Sequence, residues 1–386
     1  MRKKILILIT TLGTGGAERV VSLLIQEWKD KYDITLVLFT ELIEYELPPN
    51  IRVISLNQPF MANGFYTTFK IPFLAFKYYK LCKKYQADIS ISFLKRPNYI
   101  NCLGKLIGSK TKVIISERSH FSESLKSLSG LEKRMSIFLT KKLYPHADLI
   151  ITNSKVMRSD LENNFKIQAK YKVISNPINL SLIEKLSAQE VIFDDDNSFK
   201  FINVGAFRKE KNQAILIDAF YKIKHLNVKL YFLGHRFLKE TLKQKVKEMQ
   251  LESQVFFLDF DTNPFKYFSK CDCFALSSDF EGFPNTLLEA LACGLPVIST
   301  DCLSGPREIL APETDPQHQI KDHIEITDFG ILVPVNNAKY LSQAMEKIVE
   351  DKDPHQRLKI DSKKRAADFD VSKIMLQFEN AIENQF

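Results

Sequence analysis

Short apolar runs alternate with helix-spaced stretches along this chain, and the alternation runs through twice. In the first half, Ile5 to Ile9, Ile34 to Phe39, Ile89 to Phe93, Val113 to Ser116 and Leu149 to Thr152 read as buried strands, with helical patterns at Ala17 to Trp28 and Phe69 to Tyr85. The rhythm restarts with strands at Phe201 to Val204, Lys229 to Leu233, Val255 to Leu258, Cys273 to Leu276, Val297 to Ser299 and Ile331 to Val333, and a helix at Ala214 to Ile223. Such alternation gives a parallel sheet covered on both faces, so the expected fold class is α/β, two Rossmann-like doubly wound domains in tandem. A chain of 386 residues is too long for one core and suits two. Ser175-Asn-Pro-Ile-Asn179 breaks the pattern and Phe193-Asp-Asp-Asp-Asn-Ser198 is a polar connector, which places a hinge between about 175 and 198. The expected division is 1–178 and 179–365, with a C-terminal helix at about 366–386 packing back on the first domain. Ala311 to Asp328, rich in Pro, His and acidic residues, reads as a loop of open role. Ligands of open α/β sheets gather beyond the carboxyl ends of the strands, and two facing domains make one cleft.

No apolar run approaches the length of a membrane span, and Lys3-Lys4-Ile-Leu-Ile-Leu-Ile-Thr10 marks a buried first strand better than a signal peptide, so a cytosolic chain is expected. Six cysteines in mostly apolar surroundings suit reduced core thiols, and Cys271-Asp-Cys273 is too close and too isolated for a metal site. Charge is divided unevenly. Residues 1–180 hold 28 Lys/Arg against 14 Asp/Glu, a net of +14, and the remainder holds 26 against 32, a net of −6. Leu47 to Ala87 has no acidic residue, while Lys70, Lys77, Lys80, Lys83 and Lys84 interleave with Phe69, Phe73, Phe76, Tyr78 and Tyr79. A helix with basic and aromatic faces suits an anionic bilayer surface; the same pattern also suits a core-packed helix with solvated lysines. No basic region is joined to a nucleic-acid reading motif, so nucleic acid is not an expected partner.

Two carboxylates eight residues apart stand in Glu281-Gly-Phe-Pro-Asn-Thr-Leu-Leu-Glu289. Phe274-Ala-Leu276 reads as a strand, Ser277-Ser278-Asp279 leaves it, and Asn285 is expected to cap a helix from Thr286 to Ala292. N–H groups at a helix start suit a diphosphate, and carboxylates accept hydrogen bonds from sugar hydroxyls. Taken alone, the same residues fit any helix N-terminus. The turn Gly13-Thr-Gly-Gly16 lets backbone approach an anion, but Glu18 stands where a dinucleotide-binding turn has its third glycine, which argues against a nicotinamide enzyme. Arg208-Lys-Glu-Lys211 by itself reads as a solvated cluster. Asp194-Asp-Asp196 invites a divalent-metal reading; its place in the connector favours a solvated linker, and no metal is expected.

In order and spacing, Gly13-Thr-Gly-Gly-Ala-Glu-Arg19, Gly205 with Lys211-Asn212, Glu281 to Glu289 and Ser304-Gly-Pro-Arg-Glu308 resemble the family 4 glycosyltransferases, retaining enzymes of the GT-B fold, over essentially the whole chain. Four further stretches are similar to a narrower group: Ile71-Pro-Phe-Leu-Ala-Phe-Lys-Tyr-Tyr-Lys-Leu-Cys82, Phe93-Leu-Lys-Arg-Pro-Asn-Tyr-Ile100, Leu143-Tyr-Pro-His-Ala-Asp-Leu-Ile150 and Asp261-Thr-Asn-Pro-Phe-Lys-Tyr267. That group is the PglJ-type N-acetylgalactosaminyltransferases, which extend the undecaprenyl-diphosphate-linked glycan of bacterial protein N-glycosylation.

The resemblance implies transfer of N-acetylgalactosamine from UDP to a polyprenyl-diphosphate-linked glycan in α linkage, peripherally on the cytoplasmic side of the inner membrane, with the UDP-sugar as a substrate and no cofactor. It implies that Lys211 meets the leaving diphosphate, with Arg208 supplying a second cation because the usual arginine position is Ala206 here. Gly15, Gly16 and Gly205 would adjoin the donor, and Gly282, Phe283, Pro284, Asn285 and Thr286 would lie along its diphosphate. Glu289 would hold the ribose and Glu281 a hydroxyl of the transferred sugar. The base would lie against Leu258-Asp259-Phe260, where the family commonly has Gly in place of Asp259. Glu117, Arg118 and His120, at a strand end, are the expected contacts to the acceptor sugar or its diphosphate; many relatives have a histidine where this chain has Arg118. Alternative readings are an O-antigen or capsule glycosyltransferase, a UDP-sugar epimerase, and a non-catalytic membrane-binding protein.

Overall fold

The computed structural model describes residues 2–13, 15–59, 68–193, 197–235 and 237–385, so the Asp194-Asp-Asp196 run lies outside the described residues. The chain forms two compact units, Met1–Pro177 with Ser372–Phe386, and Ile178–Val371.

The first unit is built on β1 (Lys4–Ile9), β2 (Asp33–Leu38), β3 (Arg52–Ser55), β4 (Ile89–Phe93), β5 (Lys112–Glu117), β6 (Leu149–Thr152) and β7 (Tyr171–Val173). They pair in the order β3-β2-β1-β4-β5-β6-β7, all parallel. Ile5 to Ile9 are at most 1% exposed, as a strand must be when helices cover both faces. The helix Gly16–Trp28 buries Ala17, Val20, Val21, Leu24, Ile25 and Trp28, one stripe at helical spacing. In the same unit the C-terminal helix Val371–Glu383 sets Phe378 edge-on to Trp28, centroids 6.5 Å apart, and Glu379 2.8 Å from Lys31. Lys31 is largely exposed, so aromatic burial outweighs that ion pair.

Both sequence readings of the basic aromatic segment meet in the helix Ile71–Lys84. Leu74, Ala75, Tyr78 and Cys82 face the core, while Phe73 and Phe76, with Phe69 ahead of them, are exposed. Lys77 lies 5.4 Å from the Phe73 ring centre and Lys80 4.5 Å from that of Phe76. Among the described residues, no helix is long and apolar enough to cross a membrane.

A helix that the sequence pattern did not suggest, Lys95–Leu106, follows β4. Its polar residues are turned inward: Asn98 Oδ1 accepts from Ser92 Oγ at 2.8 Å, Asn101 Oδ1 accepts from Ser90 Oγ at 2.7 Å, and Asn98 Nδ2 donates to the Ser116 carbonyl at 3.0 Å. These bonds satisfy the two serines buried within β4 and fix where the helix begins.

The second unit repeats the plan with β8 (Phe199–Val204), β9 (Val228–Leu233), β10 (Val255–Leu258), β11 (Cys273–Leu276), β12 (Val297–Thr300), β13 (Glu325–Ile326) and β14 (Ile331–Val333), in the order β10-β9-β8-β11-β12-β14-β13. All pairings are parallel except β13 with β14. Strand order reverses at β1/β4 and at β8/β11, the two switch points at which such sheets open a crevice. The first crossing between units falls at Pro177/Ile178, and Leu180–Ser187 is already a helix of the second unit. The Pro- and acid-rich insertion is a loop that ends in β13. Arg307 secures it, bridging Asp301 and Glu325 at 2.7 Å each, and Ile320 donates its N–H to Asp301 at 2.9 Å. All six cysteines are free, and burial pushes each thiol up, leaving them protonated and unreactive at neutral pH.

Candidate active site

At the second switch point, two loops 70 residues apart are joined by an ion pair: Lys211 Nζ donates to Glu281 Oε1 at 2.6 Å. Side-chain exposures of 24% and 10% make this a part-buried pair, held more firmly than a surface one. Ser278 Oγ donates to the same oxygen at 2.6 Å. Around this pair the loops are stitched together. Ser277 Oγ donates to the Lys211 carbonyl at 3.0 Å, the Asp279 N–H to the Glu210 carbonyl at 2.9 Å, and Asn212 Nδ2 to Asp279 at 2.7 Å. Gly205 leaves β8 beside Gly234, where any Cβ would overlap the Gly205 carbonyl. Arg208 is brought to the same loop but points elsewhere, 46% exposed and 3.7 Å from Glu210.

The helix after Glu281 begins one residue earlier than expected, at Asn285, and its N-cap is Pro284 rather than Asn285. Proline holds the extended conformation of a cap, and its carbonyl takes the Leu287 and Leu288 N–H groups, so Asn285 is drawn into the first turn. Phe283 is buried against Phe369, ring centres 5.8 Å apart. Beneath it lies Gly305 at φ +99°, where an added Cβ would stand 2.5 Å from Pro284 Cδ. The Ser304-Gly-Pro-Arg-Glu308 motif therefore acts on the Gly282–Asn285 turn from below: glycine allows the approach, and the buried Arg307 anchors it. Glu289 is buried in the same helix as Asn285 and Thr286. Beyond β10, Asp259 is exposed and paired with Lys239 at 2.9 Å, which holds its carboxyl below the usual range, and Phe260 stands 4.6 Å from the His235 ring.

In the first unit Glu117, Arg118 and His120, at the end of β5, differ in what they leave available. Glu117 is turned inward, accepting from Tyr144 Oη at 2.6 Å through one oxygen and from the Arg118 N–H and Ser119 Oγ, both at 3.2 Å, through the other. His120 caps a short helix, its Nδ1 accepting the Glu123 N–H at 3.4 Å, and burial lowers its pKa. Arg118 donates Nη2 to Asn176 at 2.7 Å but leaves Nη1 buried without a partner among the described residues. A buried charged donor so left costs about 1–3 kcal/mol or more. Burial pulls its guanidinium down to about 9, with Glu117 opposing. Gly15 and Gly16 open the helix Gly16–Trp28, and the Glu18 carboxylate folds back beside Gly15, closing that helix start.

The contacts that sequence reasoning missed are Ser278 on Glu281 and the Asn212–Asp279 bond. Ser278 and Asp279 stood in the sequence only as the exit from a strand.

Solved structures share this architecture along its whole length. Anabaena HepE in complex with UDP aligns with a TM-score of 0.77 at 21% identity, covering 99% of this chain and 100% of the other. Sucrose-phosphate synthase from Thermosynechococcus elongatus aligns with 0.82 at 19%, covering 99% of each. The fold is GT-B and the protein is a glycosyltransferase. Residues 14–182 match the profile described as Glycosyltransferase Family 4, and 184–365 that of Glycosyl transferases group 1. A Campylobacter jejuni protein named N-acetylgalactosamine-N,N'-diacetylbacillosaminyl-diphospho-undecaprenol 4-alpha-N-acetylgalactosaminyltransferase is 38% identical over 96% of this chain and 97% of its own. The chain belongs to glycosyltransferase family 4.

Proposed function

We propose that the protein moves N-acetylgalactosamine from UDP to an undecaprenyl-diphosphate-linked oligosaccharide with retention, giving an α linkage, in the assembly of a glycan for protein N-glycosylation. The observation that carries this reading is the Lys211–Glu281 pair at the switch point of a family 4 chain whose near full-length relative is named for such a transfer. Breaking the anomeric bond loads negative charge on the departing UDP while the sugar becomes oxocarbenium-like. Lys211, fixed in advance by Glu281, meets that charge, and one preorganised donor of this kind is worth on the order of 3–4 kcal/mol. Glu281, steadied by Lys211 and Ser278, receives a sugar hydroxyl and so sets the anomeric carbon. Arg208, held only loosely by Glu210, swings in as the second cation. N–H groups at the start of Asn285–Ala292 add to the diphosphate site, and Glu289 takes the ribose.

The departing phosphate oxygen accepts the acceptor proton, so no enzyme nucleophile is required. With Lys211 and a helix start at the phosphates, the reaction runs without a divalent ion. The exposed Phe69, Phe73 and Phe76, beside Lys77 and Lys80, favour peripheral docking on an anionic membrane from the cytoplasmic side.

A panel of lipid-linked acceptors with UDP-N-acetylgalactosamine and UDP-N-acetylglucosamine, followed by mass spectrometry, tests the reading. Transfer of N-acetylgalactosamine to the undecaprenyl-diphosphate oligosaccharide is expected. Transfer confined to O-antigen or capsule intermediates, or isomerisation of the donor without acceptor, would overturn it.

A further inference from the structure

The segment that leaves β12 runs alongside the loop that leaves β11. Thr300 Oγ1 donates to the Ser278 carbonyl at 2.6 Å, and the Glu281 N–H donates to the Leu303 carbonyl at 3.2 Å. Two residues on, a Cβ added to Gly305 would stand 3.1 Å from Phe283 Cα and 2.5 Å from Pro284 Cδ. With Leu303 against Glu281 and Gly305 against Phe283, the residue between them, Ser304, stands against Gly282, which has no side chain to meet it. The Glu281 charge reaches this segment: after burial, it is the next cause that raises the Cys302 thiol.

Ser304 is unfavourable there in two independent ways. It lies at φ +66° and is 1% exposed, and among the described residues it is the one buried non-glycine residue at positive φ. Glycine would adopt that backbone freely, whereas a residue with a Cβ is strained. Its Oγ is buried and has no hydrogen-bond partner among the described residues. A serine in a tight turn ordinarily bonds nearby backbone, and this one does not, so the turn has no use for the hydroxyl. A buried hydroxyl left unmet also opposes folding. Glycine would remove both penalties in a single change, so the serine is explained by something outside the fold that its hydroxyl meets.

We infer that Ser304 is a contact to the nucleotide-sugar donor, its Oγ hydrogen-bonding a polar group of the transferred sugar. An ionised carboxylate such as Glu281 can only accept, whereas a hydroxyl both donates and accepts, so Ser304 supplies the donor that its neighbour lacks. The inference rests on the donor site proposed above. A ring hydroxyl and the acetamido group both offer this chemistry, and the test separates them.

Titration calorimetry on the full chain, with UDP, UDP-N-acetylgalactosamine, UDP-N-acetylglucosamine and UDP-galactose as probes, compares wild type with Ser304→Ala and Ser304→Gly, and thermal melting reads the stability of each. Ser304→Gly is expected to melt about 2–4 °C above wild type. Both variants are expected to bind UDP-N-acetylgalactosamine about three- to tenfold more weakly, with UDP affinity within about twofold. An equal loss with UDP-galactose supports the inference with a ring hydroxyl as the partner, and a loss spared by UDP-galactose supports it with the acetamido group. Unchanged sugar affinity in Ser304→Ala, a matching loss of UDP, or a Ser304→Gly protein that melts below wild type would each overturn it. Wild type that prefers another of these UDP-sugars refutes the sugar of the proposed reaction, and the same variants then decide the inference on the preferred sugar.

Discussion

The two sheets share one order for their first five strands but equip their switch points in opposite ways. Beyond β8 and β11, Lys211 meets Glu281 and Asn212 holds Asp279. Beyond β4 and β5, Arg96 and Arg118 hold buried nitrogens with no partner among the described residues. A cation that must meet charge as it develops gains from being fixed beforehand, because reorganisation would cost rate. One that grips a constant anion can leave its counter-charge to the ligand, at some cost in stability. On the same framework, loop residues rather than the sheet distinguish the two edges.

The contrast breaks most readily at Lys211. Lys211→Ala should lower kcat by roughly 10²- to 10³-fold in a steady-state transfer assay. A loss of only a few fold would remove the distinction between the two edges. Glu281→Gln should lower kcat/KM for transfer by roughly 10-fold to 10²-fold while UDP affinity, read by calorimetry, changes little, because the carboxylate serves the sugar. An equal loss of UDP binding would move Glu281 to the nucleotide.

Smaller effects sharpen the comparison through stability. Gly305→Ala forces a side chain into a positive-φ position against Pro284 and should cost about 1–3 kcal/mol in urea denaturation. Gly130→Ala, at a helix start with open space around it, is the control and should cost nothing. In the first unit, burial holds the His120 pKa below 6.5, with Asp160 and Glu123 partly opposing. The unfolded chain then binds a proton that the folded chain refuses, so stability is full above about 6.5 and falls as pH drops, by at most about 1.4 kcal/mol per pH unit. Denaturation at pH 7.5 and pH 5.5 should show the slope, and His120→Asn, which keeps a cap, should flatten it.

Much of the fold was legible because buried parallel strands are continuous apolar runs: Ile89–Phe93, Leu149–Thr152, Val255–Leu258, Cys273–Leu276 and Ile331–Val333 all end where the residues suggest. Arg52–Ser55 and Tyr171–Val173 were not, since edge strands are short and only half covered. The helix Lys95–Leu106 was hidden because it buries asparagines, a choice that makes sense only once Ser90 and Ser92 face it. At the β8/β11 edge, residue types named Lys211 and Glu281 separately. Their pairing across 70 residues depends on the β8/β11 adjacency, which no local pattern carries. The cap at Asn285 was misplaced because a proline one residue earlier already meets the cap's backbone demands.

If Lys211 and Glu281 form the donor site of an N-acetylgalactosaminyltransferase, removing both side chains abolishes transfer. The measurement is a mass-spectrometric time course with UDP-N-acetylgalactosamine, a synthetic undecaprenyl-diphosphate trisaccharide and EDTA, on wild type and on the Lys211→Ala, Glu281→Ala double variant. Wild type should add one N-acetylhexosamine to the glycolipid, and the folded double variant should add none. A folded double variant that adds the sugar as wild type does would place the donor site elsewhere.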